Sequence, residues 1–210
     1  MTSKYQRRVV LALSALALLV TGCGGGDEPP ASVPDGAAAP ADGEAAGAEL
    51  FDTDFGQVCR GTGQPRAAEY VAGPGVHPIL VMRSEDGTEY HGGIATLPEG
   101  WGAQWPDLER TELVACARRV SATPVEVCEG YADEDTGAEW SVQTHDVVYD
   151  YEVRVARTAE VLGRSTFEVD AGPCPMISTY TQGDPQPVPY YPGVGDGEFE
   201  LFVRPFVTGS

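Results

Sequence analysis

The segment from Trp140 to Arg157 constrains the fold more than any other part of the chain, because its apolar and polar side chains alternate. The apolar or aromatic set is Val147, Tyr149, Tyr151, Val153 and Val155. The charged set is Asp146, Asp150, Glu152 and Arg154. A period of two places these sets on opposite faces of a β-strand, one against a core and one toward water. We therefore expect a sheet that covers a hydrophobic core.

Other segments predict further strands that are separated by turns. The apolar run at 78–84 is followed by Asp86-Gly87 and a second run at 89–96, which predicts a hairpin. Residues 113–120 and 125–131 predict a second hairpin that turns at 121–124, and 164–170 predicts another strand. The 26 Gly and 17 Pro also favour turns over a helical bundle. We therefore predict a mainly β fold with antiparallel sheets in a sandwich-like arrangement and short helices.

The carboxyl-terminal segment has a different period. Phe199, Phe202, Val203 and Phe206 fall at i, i+3, i+4 and i+7, which predicts a helix with one apolar stripe. The alternation of Phe199, Leu201 and Val203 would also fit a strand. A second helix near Asp107 would make the fold α+β, which is the alternative to the mainly β class.

The amino-terminal residues are typical of an export signal. Residues 1–8 contain Lys4, Arg7 and Arg8, and an uncharged apolar run of 12 residues follows at 9–20. A spanning helix needs about 20 apolar residues, so this run is too short to cross a bilayer but suits a secretory signal. The run ends in Val20-Thr21-Gly22-Cys23, which resembles the lipobox of bacterial lipoproteins.

The resemblance to bacterial lipoproteins implies a lipid anchor at Cys23. In that family a diacylglycerol is attached to the cysteine thiol, a peptidase cuts before the cysteine, and the new amino terminus is acylated. Residues 1–22 would then be the signal peptide. Two or three acyl chains hold a protein durably, whereas one does not. The expected location is the extracytoplasmic face of the cell membrane, with the membrane as a partner through the anchor.

Residues 23–48 predict a disordered tether between the anchor and a domain. After Cys23 they are mostly Gly, Pro and Ala, with five acids and no base, so they cannot bury enough apolar surface to offset their ordering entropy. Residues 49–210 are long enough for a single extracytoplasmic domain with its own core. The domain holds 27 of the 32 acids and ten of the 13 bases, all Arg, which is a net charge of −17. This charge excludes nucleic acid as a partner.

Four cysteines remain in the domain, and an exported domain favours disulfides. If the second hairpin is centred on Ala122, Cys116 lies directly opposite Cys128, within reach of a disulfide. The predicted pairs are therefore Cys116 with Cys128 and, by elimination, Cys59 with Cys174. The cysteine spacings contain no CxxC, which argues against a metal site or a thiol catalyst.

No residue pattern in the sequence predicts catalysis, a metal site or a cofactor. GxSxG, HExxH and a Walker loop are absent, and the three histidines, His77, His91 and His145, are interpreted as scattered surface or turn residues. Trp101 and Trp105 lie in a Pro- and Gly-rich segment, so they are a possible surface platform for a ligand, but the preferred interpretation is that both rings cap the core of the sheet.

These features predict a membrane-anchored lipoprotein that is a binding or structural module at the cell surface. Its partner would be a protein, a peptide or a glycan of the cell envelope. The alternative is a secreted hydrolase that uses carboxylates. Such an enzyme needs two acids that face one cleft, with at least one raised pKa.

Overall fold

A computed structural model of the chain describes residues 49–93, 95–133, 136–181 and 183–210. The predicted signal peptide, the lipidation site Cys23 and the tether at 24–48 lie outside the described residues. The described secondary structure is mainly strand.

The strands and helices follow one another in a β-rich order. The strands are β1 (Ile79–Ser84), β2 (His91–Gly92), β3 (Leu113–Ala132), β4 (Glu139–Val155), β5 (Val161–Val169) and β6 (Val188–Tyr190). The α-helices are α1 (Gly56–Cys59) and α2 (Asp196–Thr208), and short 3-10 helices cover Asp52–Phe55 and Leu108–Arg110. The alternating segment thus forms β4, as predicted, and the terminal apolar stripe forms α2 rather than a strand.

The six described strands form one mixed sheet, which confirms the mainly β class but not the expected antiparallel sandwich. The strand order is β2-β1-β3-β4-β5, and β6 pairs with β4. β1 runs parallel to β3, and β6 runs parallel to β4, whereas the remaining pairs are antiparallel. The predicted hairpin around Asp86-Gly87 is confirmed, because it joins β1 to β2.

The second predicted hairpin does not exist, because β3 continues for 20 residues through the expected turn at 121–124. No residue of that segment adopts a positive φ. β3 stays paired with β4 through this segment, but the pairing register shifts between Arg119 and Ser121 and again between Pro124 and Val127. The chain reverses instead between β3 and β4, after Ala132. Ser-Ala-Thr-Pro is therefore a distorted but extended stretch of a long strand.

One face of the sheet packs against the amino-terminal segment of the domain. Phe55 and Val58 are fully buried there against Leu80, Met82 and Val114. Side chains of β1 are buried on both faces at Ile79–Met82, as is usual where a parallel pair lies at the centre of a layered fold.

The opposite face packs against α2. Phe199 and Val203 are buried against Tyr151 and Val153 of β4, while Leu201 on the outer side of the helix is 68% exposed. The i, i+3, i+4 pattern therefore marks the buried side of the helix, as predicted. In the part of the chain that the structure describes, no helix combines the length and apolar character needed to cross a membrane.

The disulfides join Cys59 to Cys116 and Cys128 to Cys174, so the predicted pairing is wrong. Cys116 and Cys128 lie on the same continuous strand, and 12 residues of strand separate their Cα atoms by about 40 Å. Cys116 instead receives Cys59 from the end of α1, with a Cα–Cα distance of 5.5 Å. The predicted pairing is wrong because it assumed a hairpin centred on Ala122, and that hairpin does not exist.

One side of β3 has no neighbouring strand over much of its length. β1 pairs with β3 only as far as Arg118, whereas β4 accompanies β3 on the other side as far as Ala132. In the described residues, the edge of β3 from Arg119 onward is therefore open. Val120, Val125 and Val127 are exposed along it.

Candidate functional site: a polar pocket on the sheet face

A pocket of about 690 Å³ lies on the sheet face that carries Phe55 and Val58, where the amino-terminal segment no longer covers β4 and β5. Its lining residues are Cys59, Asp86, Gly87, Thr88, Tyr90, Cys116, Arg118, Asp150, Tyr151, Glu152, Arg154, Arg164, Ser165 and Thr166. We call this cavity the strand-face pocket. Its volume lies within the range of sites for small molecules.

Strand register builds the floor of the pocket in two rows. In the first row Arg118 of β3 lies opposite Asp150 of β4, which lies opposite Thr166 of β5. In the second row Cys116, Glu152 and Arg164 are aligned in the same way. Residues two apart on a strand share a face, so the charged set of the alternating segment lines the pocket.

Each carboxylate of the floor contacts side chains of the neighbouring strands. Asp150 accepts a hydrogen bond from Arg118 Nη2 at 3.1 Å and one from the Thr166 hydroxyl at 2.7 Å. Glu152 accepts one from Arg164 Nε at 2.7 Å and one from Arg154 Nε at 2.7 Å. The floor is thus a network of charges of opposite sign that spans three strands.

This network controls the ionisation of Glu152. Burial alone would raise the pKa of the Glu152 carboxyl, but the guanidinium groups of Arg164 and Arg154 outweigh it and hold that pKa below its ordinary value. Glu152 is therefore a carboxylate at neutral pH, and it does not have the raised pKa of a general acid.

The turn after β1 forms one wall of the pocket. Asp86 accepts hydrogen bonds from the backbone and the hydroxyl of Thr88, and these bonds lower the pKa of the Asp86 carboxyl. Gly87 has a φ of 84°, and a Cβ at this position would lie 2.8 Å from Cδ of Arg118. The backbone conformation therefore favours glycine here, and the absence of a side chain also lets the turn lie close to the stem of Arg118.

The Cys59–Cys116 disulfide and Tyr90 complete the lining of the pocket. The disulfide links α1 to the floor strand β3, so it fixes the distance between wall and floor. Burial raises the pKa of the Tyr90 hydroxyl, so this phenol is neutral at physiological pH. The pocket therefore offers an aromatic ring, hydroxyl groups and ionised side chains of both signs.

The possible tryptophan platform does not include Trp101, which is 8% exposed and packs in the core beside α2, in agreement with the core interpretation. Its ring lies 5.6 Å from the guanidinium carbon of Arg204. Trp105 is 64% exposed and donates a hydrogen bond from Nε1 to Glu49 at 2.7 Å. It lines a separate groove with Phe51 and Leu108. The two rings therefore do not form one platform.

The structure also corrects the interpretation of His77, which is buried rather than exposed. Its Nδ1 lies 2.7 Å from a Glu112 oxygen and its Nε2 lies 2.9 Å from the carbonyl oxygen of Gly73. Burial alone would lower the pKa of His77, but these two acceptors raise it overall. His77 therefore holds the loop before β1 in place. Within the described residues, no group of three or more His, Cys, Asp or Glu side chains could hold a metal ion.

The sequence alone does not identify the pocket residues as a site. Its alternation places Asp150, Glu152 and Arg154 on the water-exposed face of their strand, which is correct for orientation but does not reveal a pocket. One signal was present: a tight turn after Val155 places Glu152 opposite Arg164 in the hairpin of β4 and β5.

Comparisons of the chain with protein-family models, with curated proteins and with solved structures gave no match.

Proposed function

We propose that this protein is a lipid-anchored extracytoplasmic lipoprotein whose domain binds a small polar molecule in the strand-face pocket. The observation that carries the proposal is the pocket itself: about 690 Å³, with a floor of ion-paired side chains on rigid strands and a disulfide in its wall. Side chains fixed by strands and by their own hydrogen bonds are suited to bind a ligand without rearranging.

The ionisation of Glu152 and Asp86 supports a binding role over the alternative of a carboxylate-dependent hydrolase. A hydrolase of that kind needs one carboxyl group with a raised pKa to donate a proton. Glu152 and Asp86 instead have lowered pKa values, because their oxygens accept hydrogen bonds from arginines and from the Thr88 turn. We therefore assign these acids to the positioning of arginines and of the wall.

The anchor proposal rests on the basic start, the apolar run and the lipobox-like Val20-Thr21-Gly22-Cys23. We expect the wild-type chain to fractionate with membranes and to carry lipid on Cys23. In Cys23→Ala the thiol is missing, so the lipid and its retention should be lost, which cell fractionation and mass spectrometry measure. Ser14→Ala is the control because it leaves Cys23 in place. A Cys23→Ala chain that is cleaved normally and remains membrane-bound contradicts the anchor.

The pocket proposal is tested by filling the cavity. Thr166 lies on the floor at the edge strand β5, and Thr166→Trp places an indole ring in the cavity. We expect small polar compounds that bind the full chain in ligand-observed NMR to lose at least about tenfold in affinity for this variant, a loss of about 1.4 kcal/mol.

Thr179→Trp is the matched control. It is the same substitution, but Thr179 is exposed in a loop and does not line the pocket. Its affinity for the same compounds should equal that of the wild-type chain. Equal affinity in all three proteins would place the binding elsewhere and overturn the pocket assignment.

A further inference from the structure

We infer that the strand-face pocket takes an anionic ligand, whose carboxylate or phosphate group is held by Arg118 and Arg164. This inference rests on the proposed function, because it names the ligand class of the same pocket. It follows from which hydrogen-bond donors and acceptors of the pocket side chains are already bonded within the protein and which remain for a ligand.

The carboxylates of the pocket are already engaged. Both oxygens of Asp150 and both oxygens of Glu152 accept a hydrogen bond from a neighbouring strand. Asp86 accepts its bonds from Thr88 within the wall. A cationic ligand at Asp150 or Glu152 would have to compete with the guanidinium groups that these carboxylates already bind, so the floor favours a cation less than an anion.

Arg154 is also engaged through all three of its nitrogens. It donates from Nε and Nη2 to Glu152, and from Nη1 to the carbonyl oxygen of Ala159 at 3.0 Å. Its side chain is only 14% exposed. Arg154 therefore orients Glu152 and has little capacity left for a ligand.

Arg118 and Arg164 have donors left over. In their ion pairs Arg118 uses Nη2 and Arg164 uses Nε, whereas a guanidinium group carries five N–H donors. Their side chains are 49% and 68% exposed, so these donors are accessible from the pocket. Guanidinium groups suit carboxylate and phosphate oxygens, which can accept two of their N–H groups at once.

Both arginines line the same pocket, so one ligand in it can contact them together. Arg118 pairs with Asp150 and Arg164 pairs with Glu152, two residues further along β4, so the arginines flank β4 on opposite sides. The domain as a whole is strongly acidic, and its field opposes the approach of an anion. The affinity must therefore come from these direct contacts.

The test measures binding to the full chain with named probes: citrate, glutamate and inorganic phosphate as anions, glucose as a neutral compound and putrescine as a cation. We expect at least one anion to bind and to shift the Arg118 and Arg164 side-chain N–H signals in NMR spectra, while glucose and putrescine do not. A comparison of the affinities for citrate and glutamate with the affinity for phosphate distinguishes a carboxylate ligand from a phosphate ligand.

Three variants separate a direct contact from a structural role. Arg118→Gln and Arg164→Gln should each lower the affinity for the bound anion about tenfold, because each removes a charge-assisted hydrogen bond. Asp150→Asn should raise the affinity severalfold, because it removes a negative charge and leaves Arg118 in place. Arg110→Gln is the control: Arg110 is exposed, does not line the pocket, and its replacement changes the net charge equally.

The inference is overturned if no anion binds, or if an anion binds equally to Arg118→Gln, Arg164→Gln and the wild-type chain. If glucose or putrescine binds the wild-type chain and Thr166→Trp abolishes that binding, the anion inference fails while the proposed binding pocket stands. A loss of affinity in Asp150→Asn comparable to that in Arg118→Gln would also count against it, since a structural disturbance predicts losses in both.

Discussion

Removal of the Cys59–Cys116 disulfide in Cys59→Ala/Cys116→Ala is expected to lower the free energy of unfolding by about 4 kcal/mol and to abolish ligand binding in the pocket. The bridge joins residues 57 apart in the sequence, and in the chain-entropy model a loop of that length contributes about 4 kcal/mol. It also connects α1 to β3 at the pocket wall, so its loss releases that wall from the floor. Urea unfolding followed by circular dichroism measures the stability, and ligand-observed NMR measures the binding.

The second disulfide provides the matched control for this prediction. Cys128→Ala/Cys174→Ala opens a loop with a sequence separation of 46, so its expected loss of stability is nearly the same. Neither Cys128 nor Cys174 lines the strand-face pocket, so binding should persist in the folded variant. Loss of binding in both variants alike would contradict the specific role of the Cys59–Cys116 bridge. A Cys116–Cys128 peptide in non-reducing mapping of the wild-type chain would contradict the pairing itself.

Phe199→Ala is expected to lower the free energy of unfolding by about 3–5 kcal/mol, because it leaves a cavity between α2 and the sheet. Phe199 is 3% exposed, and its ring centroid lies 5.5 Å from that of Tyr151 on β4. Burial of apolar area and aromatic packing are both lost. Urea unfolding of the full chain measures the change.

Leu201→Ala is the control on the same helix. Leu201 is 68% exposed and lies outside the buried stripe, so its replacement should change the free energy of unfolding by less than about 0.5 kcal/mol. A loss at Leu201 as large as that at Phe199 would contradict the described orientation of α2. A negligible loss at Phe199 would contradict the packing of the helix on β4.

The elements that were predicted correctly from the sequence are those whose pattern is local. Val147 to Val155 repeat every second residue over a full strand, and Phe199 to Phe206 repeat with the period of a helix. In both segments burial of one face dominates the choice of conformation. The turn at Asp86-Gly87 can also be predicted, because an Asp-Gly pair between two apolar runs favours a turn. Gly87 indeed has the positive φ that such a turn requires.

The errors arose where long-range pairing decides the structure. Pro124 and its neighbours resemble a turn, but the pairing of β3 with β4 keeps them extended through two register shifts. The parallel pairing of β1 with β3 cannot be read from either strand alone. Because Cys116 lies beside β1 in that arrangement, its partner Cys59 depends on the same information. The two rows of the pocket floor depend on the pairing registers of β3, β4 and β5. The spacing of residues along the sequence does not specify these registers.

The open edge of β3 also has a consequence for self-association. Unpaired backbone groups on a long strand can template the addition of another chain, and exposed valines favour that addition. Pro124 lacks an N–H group and therefore cannot complete a continuous ladder with an incoming strand. Glu126 and Glu129, both exposed, add negative charge beside it. The proline whose sequence context resembles a turn thus interrupts a long stretch of this sheet that is open to intermolecular β-pairing.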